Sequence, residues 1–191
     1  MTDKKNLRAW ARSEAECQNP ELSEEADRLI CKKVTSLPEF ENAGRVFAFA
    51  GVFPEPDTSG IIEKALDMGK TVALPVTMSG GEMEFAVYTG ETVKGMFGIS
   101  EPLPDAERIV PMCGDIMLVP GVCFDIFCRR LGRGGGYYDR YLSGCGVFTV
   151  GLCRDIFLVN EVPAQEHDIP VQMVITEKRS RGPTRAPRKK L

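Results

Sequence analysis

The sequence predicts an α/β fold with a Rossmann-like, mostly parallel sheet that carries helices on both faces. The prediction rests on short apolar runs that alternate with amphipathic segments along the chain. Strands that alternate with helices pair in parallel, because each helix returns the chain to the same end of the sheet. With 191 residues, 43% of them hydrophobic, the chain can bury a core that needs no disulfide or metal.

Three segments are predicted to be helical. The first is the N-terminal stretch to about Ser36, which Pro20 divides and Pro38 ends. The second is Thr58–Gly69, where apolar residues recur at helical spacing and the final glycine is a stop signal. A further helix is expected to begin within Gly134–Leu142.

Six apolar runs have strand character. They are Arg45–Val52, Thr71–Val76, Met83–Tyr88, Asp115–Val122, Val147–Cys153 and Gln172–Thr176. Met83–Ile99 contains no clear helix, so we expect a local antiparallel excursion there. Three prolines make Glu101–Gly114 a loop-rich connection.

Charge and cysteine usage narrow the class of protein. Seven of the 24 Lys and Arg residues follow Glu177, which predicts a domain over 1–177 and a basic, disordered tail over 178–191. The acidic remainder is a poor nucleic-acid surface. No secretory signal or membrane-spanning run is seen, so we expect a cytoplasmic protein. We also expect that the protein does not require an oligomer. Seven cysteines without a Cys-x-x-Cys pair indicate reduced thiols packed as small apolar residues.

The most informative segment is Leu118–Leu142, where a buried strand leads into a basic, glycine-rich turn and then a helix. Ligands of open α/β sheets bind beyond the carboxyl ends of strands. Backbone N–H groups of glycines can approach an anion closely, and a helix N-terminus attracts it. Arginines add forked hydrogen bonds to phosphate. The candidate phosphate-binding residues are Arg130, Gly132, Arg133, Gly134, Gly135, Gly136 and Arg140.

Two general nucleotide motifs do not fit this segment. A Walker loop ends in Gly-Lys-Ser/Thr, whereas Tyr137 follows Gly136 here. Tyr137 also stands where the dinucleotide fingerprint requires its third glycine, which disfavours dinucleotide binding. Tyr137 and Tyr138 could stack on a base or a pterin, or one of them could pack in the core. Asp139, an acid among cations, could hold magnesium or pair with an arginine.

This segment contains Pro120-Gly121, Phe124-Asp125, Arg130-Leu131-Gly132 and Tyr137-Tyr138-Asp139-Arg140 in that order. In this pattern it resembles the 5-formyltetrahydrofolate cyclo-ligase family. Shorter matches follow in the family's order. They are Lys4 with Leu7-Arg8, Glu55 with Asp57-Thr58, Phe97-Gly98-Ile99 with Glu101-Pro102, and His167-Asp168. The resemblance covers about residues 4–176. It implies ATP- and magnesium-dependent conversion of 5-formyltetrahydrofolate to 5,10-methenyltetrahydrofolate, and a fold related to the sugar-phosphate isomerases and CoA-transferases.

The resemblance also implies roles for individual residues. ATP would be bound by Lys4, Lys5, Asn6, Leu7, Arg8, Arg130, Leu131, Gly132, Arg133, Gly134, Gly135, Gly136, Tyr137 and Tyr138, with Arg130 and Arg133 catalytic. The folate would contact Ala50, Phe53, Glu55, Tyr137 and Tyr138. Magnesium would be held by Asp139 and Asp168. His167, the only histidine, is expected to orient or support rather than catalyse.

The chain departs from the family pattern at three positions. Cys123 stands where alanine is commoner, Cys128 where glycine is usual, and Gln172 where an aspartate often follows the His-Asp pair. None of them removes a residue that the phosphate chemistry requires.

Two alternatives remain open. The chain could be a non-catalytic descendant of the fold that binds RNA through its basic tail, in which case binding would be salt-sensitive. It could also be a sugar-phosphate isomerase or CoA-transferase relative, which would require a carboxylate in the sheet cleft and no ATP.

Overall fold

The computed structural model describes residues 3–182 and contains five α-helices. Helix α1 begins after Asp3, whose carboxylate accepts a hydrogen bond from the Asn6 N–H, and α2 begins after Asn19, which caps Glu21 in the same way. The helices are α1 (Lys4–Glu16), α2 (Pro20–Thr35), α3 (Pro38–Asn42), α4 (Ser59–Asp67) and α5 (Tyr137–Leu142). Among the described residues, no helix is long and apolar enough to cross a membrane.

The strands are short, and β2 to β9 follow one another without an α-helix between them. The first seven are β1 (Arg45–Phe47), β2 (Thr71–Thr77), β3 (Met83–Val87), β4 (Thr92–Lys94), β5 (Ser100–Pro102), β6 (Arg108–Ile109) and β7 (Ile116–Val119). The remaining six are β8 (Cys123–Asp125), β9 (Arg130–Leu131), β10 (Phe148–Leu152), β11 (Leu158–Val159), β12 (Met173–Ile175) and β13 (Ser180–Arg181).

Eight strands form one sheet in the order β13-β12-β10-β7-β1-β2-β3-β6. The five inner strands from β12 to β2 are all parallel, and β13, β3 and β6 pair antiparallel at the two edges. The predicted mostly parallel α/β sheet is therefore confirmed, as is the antiparallel excursion, which consists of β3 and the β4–β5 hairpin. The relation to isomerases and CoA-transferases stays a prediction.

The two faces of the sheet carry separate cores. Phe47 and Met117 point to one face, where α1 and α5 pack. Their neighbours Val46 and Ile116 point to the other face, which α2, α3 and α4 cover. This alternation follows from the two-residue period of a strand.

The C-terminal boundary at Lys178 stays a prediction, and the structure describes five residues beyond it, 178–182. Ser180–Arg181 forms β13, and the Arg179 guanidinium bonds both oxygens of Asp155 at 2.7 and 2.6 Å. Ser180–Arg181 therefore extends the edge of the sheet beyond Lys178. The rest of the predicted tail, 183–191, lies outside the described residues.

Candidate active site

A cleft of about 1140 Å³ opens at the carboxyl ends of the central strands. Five parts of the chain surround it: the first turns of α1, the loop 48–58 after β1, the glycine-rich segment 120–140, the loop 162–169, and the end of β2 together with the β4–β5 hairpin. This is the edge at which open α/β sheets bind ligands.

The glycine-rich segment allows little room for side chains. A Cβ on Gly121 would lie 2.7 Å from the Phe124 ring, and one on Gly132 would lie 2.6 Å from Arg130 Nη1. Gly134 and Gly136 have φ angles of 110° and 70°, which favour glycine. The backbone of this segment therefore faces the cleft directly. Helix α5 has only six residues, so its dipole contributes less than the sequence suggested.

Three cations in the cleft wall are paired with carboxylates. Lys4 Nζ lies 2.6 Å from Asp168 Oδ2, Arg130 Nη2 lies 2.8 Å from Asp139 Oδ1, and Arg133 Nε lies 3.0 Å from Glu55 Oε1. The Lys4–Asp168 and Arg133–Glu55 pairs each join two of the segments that line the cleft, and the Arg130–Asp139 pair lies within the glycine-rich segment. The site is thus electrostatically compensated before any ligand enters.

Arg130 is the most enclosed of these cations, with 5% of its side chain exposed. Its guanidinium lies over the Tyr138 ring, 5.7 Å from the ring centre. Within residues 3–182, neither Arg130 Nε nor the Tyr138 hydroxyl has a hydrogen-bond partner, although both atoms are buried. Burial raises the pKa of Tyr138, so its hydroxyl stays a proton donor. Buried donors without a partner are uncommon in folded proteins, and these two belong to residues that line the cleft.

Glu55 lines the cleft from the loop after β1, with 7% of its side chain exposed. Its Oε2 accepts a hydrogen bond from the Val52 N–H at 3.1 Å, and Arg133 donates both to Glu55 and to the Val52 carbonyl. The carboxylate is therefore fixed in the cleft by its own loop and shares one cation with the glycine-rich segment.

Asp168 belongs to the loop that faces α1. Burial alone would raise its pKa, but hydrogen bonds from Lys4 and from the Gln165 N–H outweigh burial and lower the pKa below its ordinary value. The adjacent Ile169 N–H lies 3.4 Å from Asp139 Oδ1. The two carboxylates predicted to hold magnesium therefore come from neighbouring parts of the wall.

Most of the residues predicted from the sequence line this cleft. They are Lys4, Arg8, Ala50, Glu55, Arg130, Leu131, Gly132, Arg133, Gly134, Gly135, Gly136, Tyr137, Tyr138, Asp139 and Asp168. Arg8 donates from Nε to the Gly132 carbonyl at 2.9 Å, which ties α1 to the glycine-rich turn. Tyr137 faces the cleft, with its ring 5.9 Å from Phe97, whereas Tyr138 packs partly against the core.

Four predicted binding residues do not line the cleft. Leu7 is buried in the core, and Lys5 and Asn6 are exposed on other faces of α1, because adjacent positions of a helix point in different directions. Phe53 is 54% exposed and lines a separate groove, where Arg154 lies over its ring.

The structure adds cleft residues to which no role was assigned. Glu101, 7% exposed, accepts from the Thr77 N–H at 3.2 Å, and Phe97 contacts Tyr137 from the β4–β5 hairpin. Both stand in a short match to the family, but only the three-dimensional contact places them at the site. Gln172 is bonded to Thr149 at the start of β10, so it is not a third acid of the cleft. His167 is largely exposed at the cleft rim.

Comparison with known proteins identifies the family. The model of the 5-formyltetrahydrofolate cyclo-ligase family matches residues 1–177. The 5-formyltetrahydrofolate cyclo-ligase of Escherichia coli is 34% identical over 165 residues, which are 82% of this chain and 91% of that protein. The enzyme of the same name from Mus musculus is 27% identical, over 91% of this chain and 93% of its own length.

Solved structures show the same relationship. The 5,10-methenyltetrahydrofolate synthetase of Aquifex aeolicus has a TM-score of 0.84 and 30% identity, over 98% of this chain and 96% of that one. A synthetase of the same name from Mycoplasma pneumoniae, with a TM-score of 0.75 and 20% identity, shares the fold. The chain therefore belongs to the 5-formyltetrahydrofolate cyclo-ligase family and is an enzyme of the ligase class.

Proposed function

We propose that this enzyme closes 5-formyltetrahydrofolate to 5,10-methenyltetrahydrofolate with ATP, releasing ADP and phosphate. The observation that carries the proposal is the buried Arg130, whose unpartnered Nε lies beside a glycine-lined cleft that also holds Arg133 and Lys4. Anions of high charge fit such a site, because the glycine backbone and the guanidinium groups can both donate to them.

The chemistry needs activation because a formamide carbonyl is a poor electrophile. Transfer of the γ-phosphoryl group to the formyl oxygen makes that oxygen a leaving group. The N10 amine of the folate then attacks the formyl carbon and gives up its proton to solvent, the five-membered ring closes, and the C–O bond to phosphate breaks. No covalent bond to the protein is required, so the task of the protein is alignment and charge stabilisation.

Arg130 and Arg133 are suited to stabilise the transferred phosphoryl group from the glycine-rich side, and Lys4 and Arg8 from α1. Glu55 is suited to accept hydrogen bonds from the amino and ring N–H groups of the pterin, since it is a fixed carboxylate in a nearly enclosed wall. Tyr137 and Phe97 present aromatic faces and edges to the cleft for a flat ring.

The carboxylates of the cleft fit a magnesium ion that accompanies ATP. Among residues 3–182 no three His, Cys, Asp or Glu side chains form a metal site of their own. Magnesium commonly binds one or two carboxylates and completes its shell with phosphate and water, which Asp139 and Asp168 allow. When bound, it would neutralise phosphate charge, while these two residues would hold it against the glycine-rich wall.

The direct test is to mix the protein with 5-formyltetrahydrofolate and Mg-ATP and follow the absorbance of methenyltetrahydrofolate. We expect product to form only when ATP is present. No product, or product that forms equally without ATP, would contradict the proposal and would favour a relative of the isomerases or transferases.

The role of Arg130 gives a sharper test. Arg130→Ala should lower kcat by about 10²–10³-fold, because a forked donor to the developing charge is lost. Arg130→Lys keeps the charge without the fork and should recover only part of the rate. Circular dichroism would check that both variants fold. Turnover within a few-fold of wild type in Arg130→Ala would show that the phosphoryl group lies elsewhere.

A further inference from the structure

A buried ion pair lies next to the loop that carries Glu55 but outside the cleft. Arg154, which follows β10, donates from Nε to Asp27 Oδ1 at 3.0 Å and from Nη2 to Asp27 Oδ2 at 2.7 Å. The two side chains are 7% and 12% exposed. Both residues line a separate groove of about 400 Å³, so neither is expected to touch a substrate.

This pair is bonded to the Glu55 loop on both sides of the carboxylate. Arg154 Nη1 donates to the Pro54 carbonyl at 3.1 Å, and Asp27 Oδ2 accepts from the Asp57 N–H at 2.9 Å. The guanidinium also lies 5.7 Å from the centre of the Phe53 ring. The residue before Glu55 and the residue two places after it are thus held by one ion pair.

The loop itself is too tight to absorb a shift of these anchors. A Cβ on Gly51 would clash with the Pro56 carbonyl oxygen, so the two arms of the loop lie in contact. The Glu55 N–H donates to the Val52 carbonyl, and the Glu55 carboxylate accepts from the Val52 N–H. A displacement at Pro54 or Asp57 therefore moves the Glu55 carboxylate.

We propose that Asp27 and Arg154 are positioning residues that set the affinity for the folate by fixing Glu55. The proposal rests on the proposed function, in which Glu55 binds the pterin. Since Glu55 contacts a part of the substrate that does not react, its displacement weakens substrate and transition state alike. The expected signature is a raised KM for 5-formyltetrahydrofolate with kcat and the KM for ATP little changed.

The decisive variant removes both charges together. A buried pair that loses one partner leaves an uncompensated charge, whereas replacement of both partners by apolar residues is often close to neutral for stability. Asp27→Leu with Arg154→Met should therefore fold, yet should raise the KM for the folate by about tenfold or more, because small misplacements of a binding group are costly. The single variant Arg154→Lys retains the charge, so its KM for the folate should lie between those of wild type and the double variant.

The matched control is the Glu25–Arg28 pair on α2, the helix that carries Asp27. This pair is exposed and, within residues 3–182, makes no hydrogen bond to the Glu55 loop. Glu25→Gln with Arg28→Gln should leave both KM values within about twofold of wild type. A folate KM at the wild-type level in the Asp27/Arg154 double variant would overturn the positioning role. Absence of turnover in wild type would instead refute the proposed function, and calorimetric titration with 5-formyltetrahydrofolate then compares the same variants by binding.

Discussion

At the residue scale, the cations of the cleft are ion-paired with carboxylates for which separate binding roles are proposed. Arg133 is half exposed, whereas its partner Glu55 is buried, so the arginine is the member of the pair that can move. A phosphate group that draws Arg133 away would free one Glu55 oxygen for the N–H donors of the folate. Under the proposed function, ATP therefore binds one member of this ion pair, Arg133, and the folate binds the other, Glu55.

Asp139 tests the metal assignment at the same scale. Asp139→Asn keeps the size of the side chain but removes a charged ligand, so the magnesium concentration for half-maximal turnover should rise about tenfold. Because Asp139 also pairs with Arg130, kcat can fall in this variant for another reason. The magnesium titration separates the two effects, and an unchanged midpoint would count against a metal role.

Cys128 shows a residue that the family pattern flagged and the structure explains. It has a φ of 62°, the left-handed conformation that glycine adopts at no steric cost, and its carbonyl accepts from the Val171 N–H. Cys128→Gly should change the free energy of unfolding by no more than about 1 kcal/mol, because lost burial offsets relieved backbone strain. Cys128→Val should destabilise by about 2 kcal/mol or more, because a β-branched side chain fits this conformation poorly.

Urea unfolding of the two Cys128 variants would measure the difference. Equal stability of Cys128→Val and wild type would show that the backbone strain is negligible. Burial raises the pKa of Cys128 to about 11, so wild type should also resist thiol reagents at this position while it is folded.

At the scale of elements, the sequence predicted where strands and helices occur better than where they end. The run Arg45–Val52 reads as one strand because it is apolar throughout, yet β1 ends at Phe47. Of the remaining residues, Ala48 and Phe49 are buried, Ala50 and Val52 are half-buried and Gly51 is exposed, and they lead into the wall that carries Glu55. Whether an apolar run pairs in a sheet or lines a cleft depends on distant contacts, such as that of Gly51 with Pro56, which periodicity does not encode.

The same reason explains which site residues were predicted. The glycine-rich segment carries its own signal, since its glycines and arginines are adjacent in the chain. The role of Arg154 depends on Asp27, which is 127 residues away, and no local pattern indicates it. Phe53 was expected to contact the folate only because of the resemblance to the family, and the structure places its ring beside Arg154.

Helix α1 allows a comparison between lysines that face the cleft and lysines that do not. Lys4 and Arg8 lie one turn apart and reach the cleft, whereas Lys5 is exposed on another face. Lys4→Met should raise the KM for ATP about tenfold, because a cation near the phosphates is lost. Lys5→Met is the matched control on the same helix and should stay within about twofold. Equal effects at the two positions would show that the helix acts only through its general charge.

At the scale of the whole molecule, the Lys4–Asp168 pair joins the first helix to the loop that precedes the last inner strand. The two residues are 164 positions apart in the chain. Contacts of such long range close the cleft only when both ends of the fold are in place. The pair should therefore contribute to global stability as well as to the site.

The dependence of stability on pH follows from the lowered pKa of Asp168. A carboxyl group whose pKa is lower in the folded than in the unfolded protein stabilises the fold above its unfolded pKa of about 3.9, and this contribution is lost as the pH falls through the folded pKa. Asp168→Asn should therefore be less stable than wild type at neutral pH, and the two should converge in acid. Asp155 also has a lowered pKa, but its pair with Arg179 is present in both proteins and cancels in the difference. Urea unfolding at a series of pH values measures that difference, and a gap that stays constant below about pH 4 would show that the charge of Asp168 does not support the fold.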